Sequence, residues 1–144
     1  MGQTPPELLK RALADRVVAR VDGTGLIPSA VMVLLYPKDG EYCILLNKRS
    51  EQVEHHKGEI SFPGGGKDPG DSSLLDTALR ETHEEMGIAP QDVVVLGELD
   101  DVVTPHTLFS ISPFVGAISS PYQFRPNTRE VAEILEVPLS LLRN

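Results

Sequence analysis

Three glutamates stand close together in this 144-residue chain, at Glu81, Glu84 and Glu85. The segment from 73 to 86 that carries them has the apolar spacing of an amphipathic helix, on which residues three and four positions apart are neighbours. Like charges at that spacing destabilise a helix, and the last turn also presents the negative end of the helix dipole. Hard divalent ions such as Mg²⁺ and Mn²⁺ prefer carboxylate oxygens. The triplet therefore predicts a cation site, and a solvated acidic face is the alternative.

A glycine-rich segment precedes the acidic helix. Pro63-Gly64-Gly65-Gly66 is expected to form a tight turn, in which the lack of side chains lets the backbone approach a ligand or a metal closely. A glycine triplet by itself usually marks only a turn. Because this one is followed by three carboxylates on a helix, it predicts the second wall of a metal and phosphate site.

The formal net charge of −8 is concentrated in one part of the chain. Residues 68–101 hold ten acidic residues and a single basic one, Arg80. This distribution fits the binding of multivalent cations. It disfavours nucleic acid as a partner, because the sequence contains no basic stripe that would neutralise phosphates.

Length and composition indicate the general class of protein and its cellular compartment. With 144 residues, the chain is expected to form a single domain over 1–144. Its one cysteine, Cys43, cannot form an internal disulfide, which favours a reducing compartment. The apolar runs are too short for a membrane span, and the first residues are too polar for a secretory signal. We therefore expect a cytoplasmic protein without a membrane partner.

Local patterns predict an α/β fold. The first helix, at about 5–17, opens with Thr4 and Glu7 as a capping box and has Pro5 at its first position. The acidic helix is expected to end at Gly87, which suits a left-handed C-cap. Residues 37–40 have the composition of a turn, so the strands on either side of them should form a hairpin. Apolar and β-branched runs predict strands at 30–36, 41–47, 60–62, 93–99, 108–118 and 131–137.

The segment from Gly64 to Ile88 resembles the Nudix box. That motif consists of a glycine, five residues, a glutamate, seven residues and then R-E-U-x-E-E-x-G-U, in which U is apolar. Residues 80–88 match it at every fixed position, with Thr82 at the first U. The resemblance implies a single Nudix domain, an α/β/α sandwich with a mixed β-sheet, whose box turn and helix span about 64–88.

The first acidic position of the box has two candidates. Counted back from Arg80 it falls on Ser72, and counted forward from the Phe62-Pro63-Gly64-Gly65 turn it falls on Asp71. We prefer Asp71 because it supplies a carboxylate. Either residue could instead be the N-cap of the helix.

Segments before, within and after the box resemble the coenzyme A diphosphatase branch of the Nudix superfamily. Asn47 stands where that branch usually has Thr, and Glu54 stands where it usually has Arg. The resemblance implies metal-dependent hydrolysis of the diphosphate bond of coenzyme A or acyl-CoA, to a phosphopantetheine and adenosine 3′,5′-bisphosphate. The alternatives are the same chemistry on ADP-ribose or another nucleoside diphosphate derivative, and a nucleotide-binding domain that does not hydrolyse. The segments that carry the resemblance are 45–50, 58–65, 68–69, 77–81 and 130–139.

The resemblance also implies roles for individual residues. Mg²⁺ or Mn²⁺ would be held by Glu81 and Glu85, with Glu84 and the Gly65 carbonyl nearby, and Arg80 would orient the glutamates. The sequence does not identify the general base: Glu130 and Glu133 are candidates, and the alternative for both is a solvated residue at the end of a strand. The oligomeric state stays open, a homodimer being one alternative. The catalytic residues implied are Arg80, Glu81, Glu84 and Glu85, and the substrate-binding candidates are Lys48, Arg49, Lys57, Phe62 and Gly64.

Overall fold

The computed structural model describes residues 2–53, 57–104 and 108–142, so Glu54 lies outside the described residues. Neither α-helix in those ranges has the length and hydropathy needed to cross a lipid bilayer. The described elements, two of them 3-10 helices, are α1 (Pro5–Ala14), β1 (Ile27–Lys38), β2 (Glu41–Arg49), β3 (Ile60–Ser61), β4 (Gly64–Gly66), α2 (Leu74–Met86), a 3-10 helix (Pro90–Asp92), β5 (Val94–Glu98), β6 (Val102–Val103), β7 (Phe109–Ala117), β8 (Val131–Pro138) and a second 3-10 helix (Leu139–Leu142).

The strands form one mixed sheet around β1. On one side β1 pairs in parallel with β7, and on the other side it pairs antiparallel with β2 and β4. β2 also pairs antiparallel with β3 and β8, while β7 pairs antiparallel with β5 and β6. The predicted hairpin of the first two long strands is therefore confirmed, and so is the mixed character of the sheet.

A helix covers each face of the sheet. On one face α2 packs through Ala78 and Met86 against a core that includes Met32 and Leu34 of β1. On the other face Leu9 and Leu13 of α1 pack against a second cluster, made of Leu35, Leu96 and Val115. Side chains that alternate along a strand point to opposite faces, so β1 supplies both cores. The α/β/α sandwich expected from the sequence is confirmed.

The N-terminal helix begins as predicted but is shorter. Thr4 accepts a hydrogen bond from the Glu7 amide, and the Glu7 carboxylate accepts one from the Thr4 amide, which confirms the capping box. The helix ends at Ala14 rather than near 17. Val17, at the end of the predicted range, is 92% exposed, so burial of its side chain does not favour a further turn.

The glycine segment is a strand rather than a tight turn. Gly64–Gly66 pairs antiparallel with residues 29–31 of β1, with Gly65 opposite Ala30. A Cβ atom at Gly64 would overlap the Ala30 carbonyl oxygen, so this close approach requires glycine. The prediction was wrong about the element because its pairing partner is more than 30 residues away in the sequence, but it was right that the segment allows a close backbone approach.

Candidate active site

The acidic helix α2 is fixed at both ends by its own residues. At the N-terminus Ser73 accepts a hydrogen bond from the Asp76 amide at 3.1 Å, so Ser73 is the N-cap, and neither Asp71 nor Ser72 has that role. At the C-terminus Gly87 adopts φ 73° and its amide donates to the His83 carbonyl, as predicted. A Cβ at Gly87 would lie 2.6 Å from Cβ of Arg125. These caps place the glutamates in the last two turns of a well-defined helix.

Glu85 is the buried member of the glutamate triplet. Its side chain is on the face of α2 that meets β4, and the residue is only 3% exposed. The Gly64 amide donates a hydrogen bond of 2.8 Å to Glu85 Oε2. Burial raises the pKa of Glu85 to about 8, although the bond from Gly64 acts in the opposite direction. The surrounding residues therefore supply too little positive charge to stabilise the ionised form of Glu85 fully.

Glu81 lies one turn earlier and also faces the glycine strand. A Cβ at Gly65 would overlap Glu81 Oε2, so the Gly65 backbone lies directly against this carboxylate. Burial and the neighbouring Glu84 raise the pKa of Glu81 to about 7, and Arg80 lowers it in part. Two buried or half-buried carboxylates thus converge on β4.

Glu84 is oriented differently from the other two glutamates. Its side chain is 52% exposed and accepts a 2.8 Å hydrogen bond from the Arg80 guanidinium, an i,i+4 pair on the helix. His83 is also exposed on this helix. The structure therefore brings Glu81 and Glu85 to the glycine strand and turns Glu84 toward Arg80.

Arg80 connects the helix to the loop before it. Its guanidinium donates to both oxygens of Asp71, at 2.9 and 3.0 Å, to Glu81 at 2.8 Å and to the Gly66 carbonyl at 3.1 Å. Because Arg80 and Asp71 form this bidentate ion pair, the pKa of Asp71 is held well below its usual range. Arg80 therefore links Glu81 to Asp71 and to the end of the glycine strand.

Of the two candidates for the first acidic position of the motif, Asp71 is the one that pairs with Arg80. Besides Arg80, it accepts hydrogen bonds from the Thr77 hydroxyl at 2.8 Å and from the Asp68 amide at 2.9 Å, and it is 8% exposed. Ser72, the other candidate, is exposed and bonds to Asp76 instead. Since its oxygens are engaged by these donors, Asp71 positions Arg80 and does not reach toward the glutamates.

The donor set at β4 has the chemistry of a divalent-ion site. Within residues 2–53, 57–104 and 108–142, no three histidine, cysteine or acidic side chains converge closely enough to bind an ion without further ligands. Glu81 and Glu85 nevertheless offer hard oxygen donors, and Mg²⁺ typically takes one or two carboxylates and completes its shell with water and substrate phosphates. Their raised pKa values indicate a place where a cation would be favourable. The residues present therefore fit such an ion.

The five predicted substrate-binding residues are only partly brought together. Gly64 contacts Glu85 directly, and the positive charge of half-buried Arg49 lowers the pKa of Glu85 and so acts on the site. Phe62 is half-buried two residues before Gly64. Lys48 is exposed, and because it follows the fully buried Asn47 in β2 it faces the other side of the sheet. Lys57 is exposed in the loop after β2.

The two candidates for the general base are separated by the fold. Glu130 precedes β8, and its negative charge contributes to the raised pKa of Glu85. Its carbonyl accepts from the Ser50 amide at 2.8 Å, which holds it beside the end of β2. Glu133 is exposed and lies opposite Lys48 in the sheet. The structure thus places Glu130 near the glutamates and Glu133 away from them.

Two polar residues near the site had no predicted role. Asn127 donates its amide to the Glu85 carbonyl at 2.9 Å, tying the segment before β8 to the last turn of α2. Asn47 is fully buried, and its Nδ2 has no hydrogen-bond partner among the residues that the structure describes, although Ser61 donates to its Oδ1 at 3.4 Å. Asn47 had been singled out because it departs from the usual Thr, whereas nothing local in the sequence marks Asn127.

Comparison with known proteins shows to which family the chain belongs. The model of the NUDIX domain family matches residues 26–140, which include β1 through β8. The chain belongs to the Nudix family. The match covers the glycine strand, the acidic helix and Glu130, so every part of the candidate site lies in the shared domain.

Curated relatives of this Nudix domain include bacterial and animal proteins. It is 44% identical over 96 residues to "Uncharacterized Nudix hydrolase NudL" of Pectobacterium atrosepticum, covering 67% of this chain and 50% of that protein. It is 37% identical over 116 residues to "Nudix hydrolase 3" of Caenorhabditis elegans, covering 78% of this chain and 48% of that protein. The chain therefore spans about half the length of the curated relatives it matches.

Solved structures share the fold at low sequence identity. A C. elegans Ap4A hydrolase binary complex superimposes with a TM-score of 0.66 and 19% identity, over 81% of this chain and 83% of that one. The NUDIX domain of Shewanella oneidensis NrtR, complexed with ADP ribose, gives 0.60 and 21%, over 97% and 86%. These likenesses establish the Nudix fold of the chain.

Proposed function

We propose that this Nudix domain hydrolyses the diphosphate bond of coenzyme A or acyl-CoA, releasing a phosphopantetheine and adenosine 3′,5′-bisphosphate. The observation that carries the proposal is the convergence of Glu81 and Glu85 on the glycine strand, where both pKa values are raised. The choice of coenzyme A is supported by residues 45–50 and 58–65, which resemble the coenzyme A diphosphatase branch. In the structure these residues form the end of β2, β3 and the approach to Gly64.

Glu81 and Glu85 would hold Mg²⁺ or Mn²⁺ in this enzyme. When bound, a divalent ion supplies Lewis-acid polarisation of phosphate oxygens and lowers the pKa of water. The chain's own residues set the geometry: Arg80 fixes Glu81, and the Gly64 amide fixes Glu85. Arg49 supplies positive charge beside Glu85, where an anionic diphosphate would lie.

Glu130 is the proposed general base. A water molecule attacks one phosphorus of the diphosphate, and its proton passes to the Glu130 carboxylate. The bond from that phosphorus to the bridging oxygen breaks, and the bridging oxygen leaves as part of the other phosphate. Glu130 is favoured over Glu133 because its charge acts on Glu85, whereas Glu133 is exposed opposite Lys48. The Ser50 amide and the Asn127 carbonyl both bond to the Glu130 backbone, so its position is fixed by the fold.

The proposal is tested by turnover of coenzyme A with Mg²⁺ or Mn²⁺, with products identified by mass spectrometry. Glu85→Gln should lower kcat/KM by more than about 100-fold, beyond the 10–100-fold that loss of an outer-shell partner typically causes. Glu136→Gln is the matched control, since it makes the same chemical change in a surface pair with Lys38. It should stay within about twofold of the wild type.

Three outcomes would contradict the proposal. Unchanged activity in Glu85→Gln would show that the Glu85 carboxylate does not bind the metal. A higher kcat/KM for ADP-ribose than for coenzyme A would assign the enzyme to another nucleoside diphosphate substrate. Tight binding of coenzyme A without any product at saturating metal would indicate a binding domain.

A further inference from the structure

A cavity of about 500 Å³ lies at the N-terminal end of α2, away from the glutamates. Its volume is within the range of about 300–1,000 Å³ that is usual for small-molecule sites. One wall is apolar and comes from Leu74 and Leu75 of α2 and Phe114 of β7. The other wall is polar and comes from Arg20, Glu98, Asp101 and Ser112.

The polar wall is held in place by its own hydrogen bonds. Asp101, whose side chain is only 9% exposed, accepts from the Ser112 hydroxyl at 2.8 Å and from the Val21 amide at 3.3 Å. The Arg20 guanidinium forms ion pairs with both Glu98 and Asp101. These contacts hold the segment before β1 against the end of β5. They fix the side chains of the polar wall in the absence of a ligand.

The charge of the wall determines what it can bind. Arg20 supplies one positive charge against the two carboxylates of Glu98 and Asp101, so the wall is negative overall. A phosphate would be repelled there, whereas a neutral group that donates N–H hydrogen bonds would be attracted. The apolar side chains opposite favour a ligand with a hydrophobic body.

The sheet places this cavity within reach of the glycine strand. Ser112 in β7 is the register partner of Ala30 in β1, and Ala30 is the partner of Gly65 in β4. Neighbouring strands are about 4.8 Å apart, so Ser112 lies about 10 Å across the sheet from Gly65. Paired residues share a face, so the cavity and the glutamates are on the same side of the sheet.

We infer that this cavity is a substrate subsite that binds the uncharged part of the substrate, a neutral group with an apolar body and N–H donors. Amides in an extended pantetheine arm have this chemistry, and so does the amino group of a purine base. The inference rests on the proposed function for the identity of the whole substrate. Arg20 lies before residues 26–140, so part of this wall comes from outside the segment that matches the Nudix model.

Titration of the metal-free ¹⁵N-labelled protein with adenosine and, separately, with pantetheine tests the subsite. Neither probe carries a phosphate, so binding does not require hydrolysis or the glutamates. One of the two should shift the amide resonances of residues 73–75 and 112–114, and the one that does so identifies the occupant. If neither probe shifts these resonances at millimolar concentration, or if the shifts map elsewhere, the inference is overturned.

Steady-state kinetics on coenzyme A provide a second test with a matched pair of variants. Asp101→Asn removes one of the two carboxylates of the polar wall and should raise KM by about tenfold, equivalent to about 1.4 kcal/mol, with little change in kcat. Asp100→Asn makes the same chemical change in the adjacent residue, which pairs with Arg16 and does not line the cavity, and should change KM less than twofold. Equal effects of the two variants would contradict the subsite. Because the titration needs no turnover, failure of the proposed function and failure of this inference are distinguishable.

Discussion

At the scale of single residues, the site depends on carboxylates that are buried without enough positive charge around them. Within the part of the chain that the structure describes, the Glu85 carboxylate accepts a hydrogen bond from a single donor, the Gly64 amide, and burial of Glu85 outweighs the partial compensation from Arg49. Arg80 is a full positive charge, but its donors are directed to Asp71, Glu81 and Glu84. An added divalent ion would therefore stabilise the folded chain through Glu81 and Glu85.

The pH dependence of stability in the absence of metal should reveal this burial. The pKa of Glu85 is raised from 4.5 to about 8, so the folded state holds a proton that the unfolded state loses. Stability therefore falls as pH rises from about 4.5 to about 8, by at most about 1.4 kcal/mol per pH unit for one group. Glu85→Gln should flatten this slope in urea unfolding with a chelator present. Parallel slopes for the variant and the wild type would show that Glu85 is not buried as described.

Asp71 is predicted to act through Arg80. Asp71→Asn removes the charge that holds the guanidinium, and should lower kcat about 10–100-fold while KM for coenzyme A stays within about twofold. The kinetics of Ser72→Ala provide the control. Ser72 is next to Asp71 in the sequence and exposed, and in the described residues its hydroxyl bonds to Asp76 rather than to Arg80. A greater loss of kcat in Ser72→Ala than in Asp71→Asn would reverse this assignment.

At the scale of elements, the site is the contact between α2 and β4. The bounds of α2 could be predicted to within one residue, because its signals are local: an apolar stripe, a serine N-cap and a glycine at the C-cap. The strand nature of Gly64–Gly66 could not be predicted, because glycine has a low strand propensity and its pairing with β1 is a long-range contact. The sequence therefore predicted the helix that carries the glutamates, but it did not predict the strand that packs against them.

Alanine substitutions in β4 test this contact directly. A Cβ at Gly65 would overlap Glu81 Oε2, whereas a Cβ at Gly66 would have no heavy atom within 4 Å. Gly65→Ala should displace the Glu81 carboxylate and lower kcat at least about tenfold, and Gly66→Ala should be close to wild type. The comparison uses kinetics together with circular dichroism to confirm folding. Equal activity of the two variants would contradict a close approach of Gly65 to Glu81.

At the scale of the whole molecule, the sheet assembles residues that are distant in the sequence. The pairing of β2 with β8 places Glu130 beside Ser50 and within electrostatic reach of Glu85. No periodicity in the sequence specifies that register, which explains why Glu130 and Glu133 could not be separated beforehand. Likewise Lys48 could be named as a basic residue near the motif, but only its alternation with buried Asn47 shows that it faces away.

The same face of the sheet carries both the glutamates and the cavity. Glu81 and Glu85 meet β4, while the cavity lined by Leu75 and Ser112 lies over β7. The helix α2 spans both positions, with its N-terminus at the cavity and its C-terminus at the glutamates. Under the two proposals above, the diphosphate and the uncharged part of the substrate would bind at separate places along this helix.

Binding of a divalent cation by Glu81 and Glu85 against the glycine strand can be observed directly. The measurement is an anomalous difference map from crystals soaked in Mn²⁺ with a non-hydrolysed substrate analogue. We expect a peak within coordination distance of both carboxylates and beside Gly65. A map without a peak there, or with manganese bound only at another acidic cluster, would contradict it.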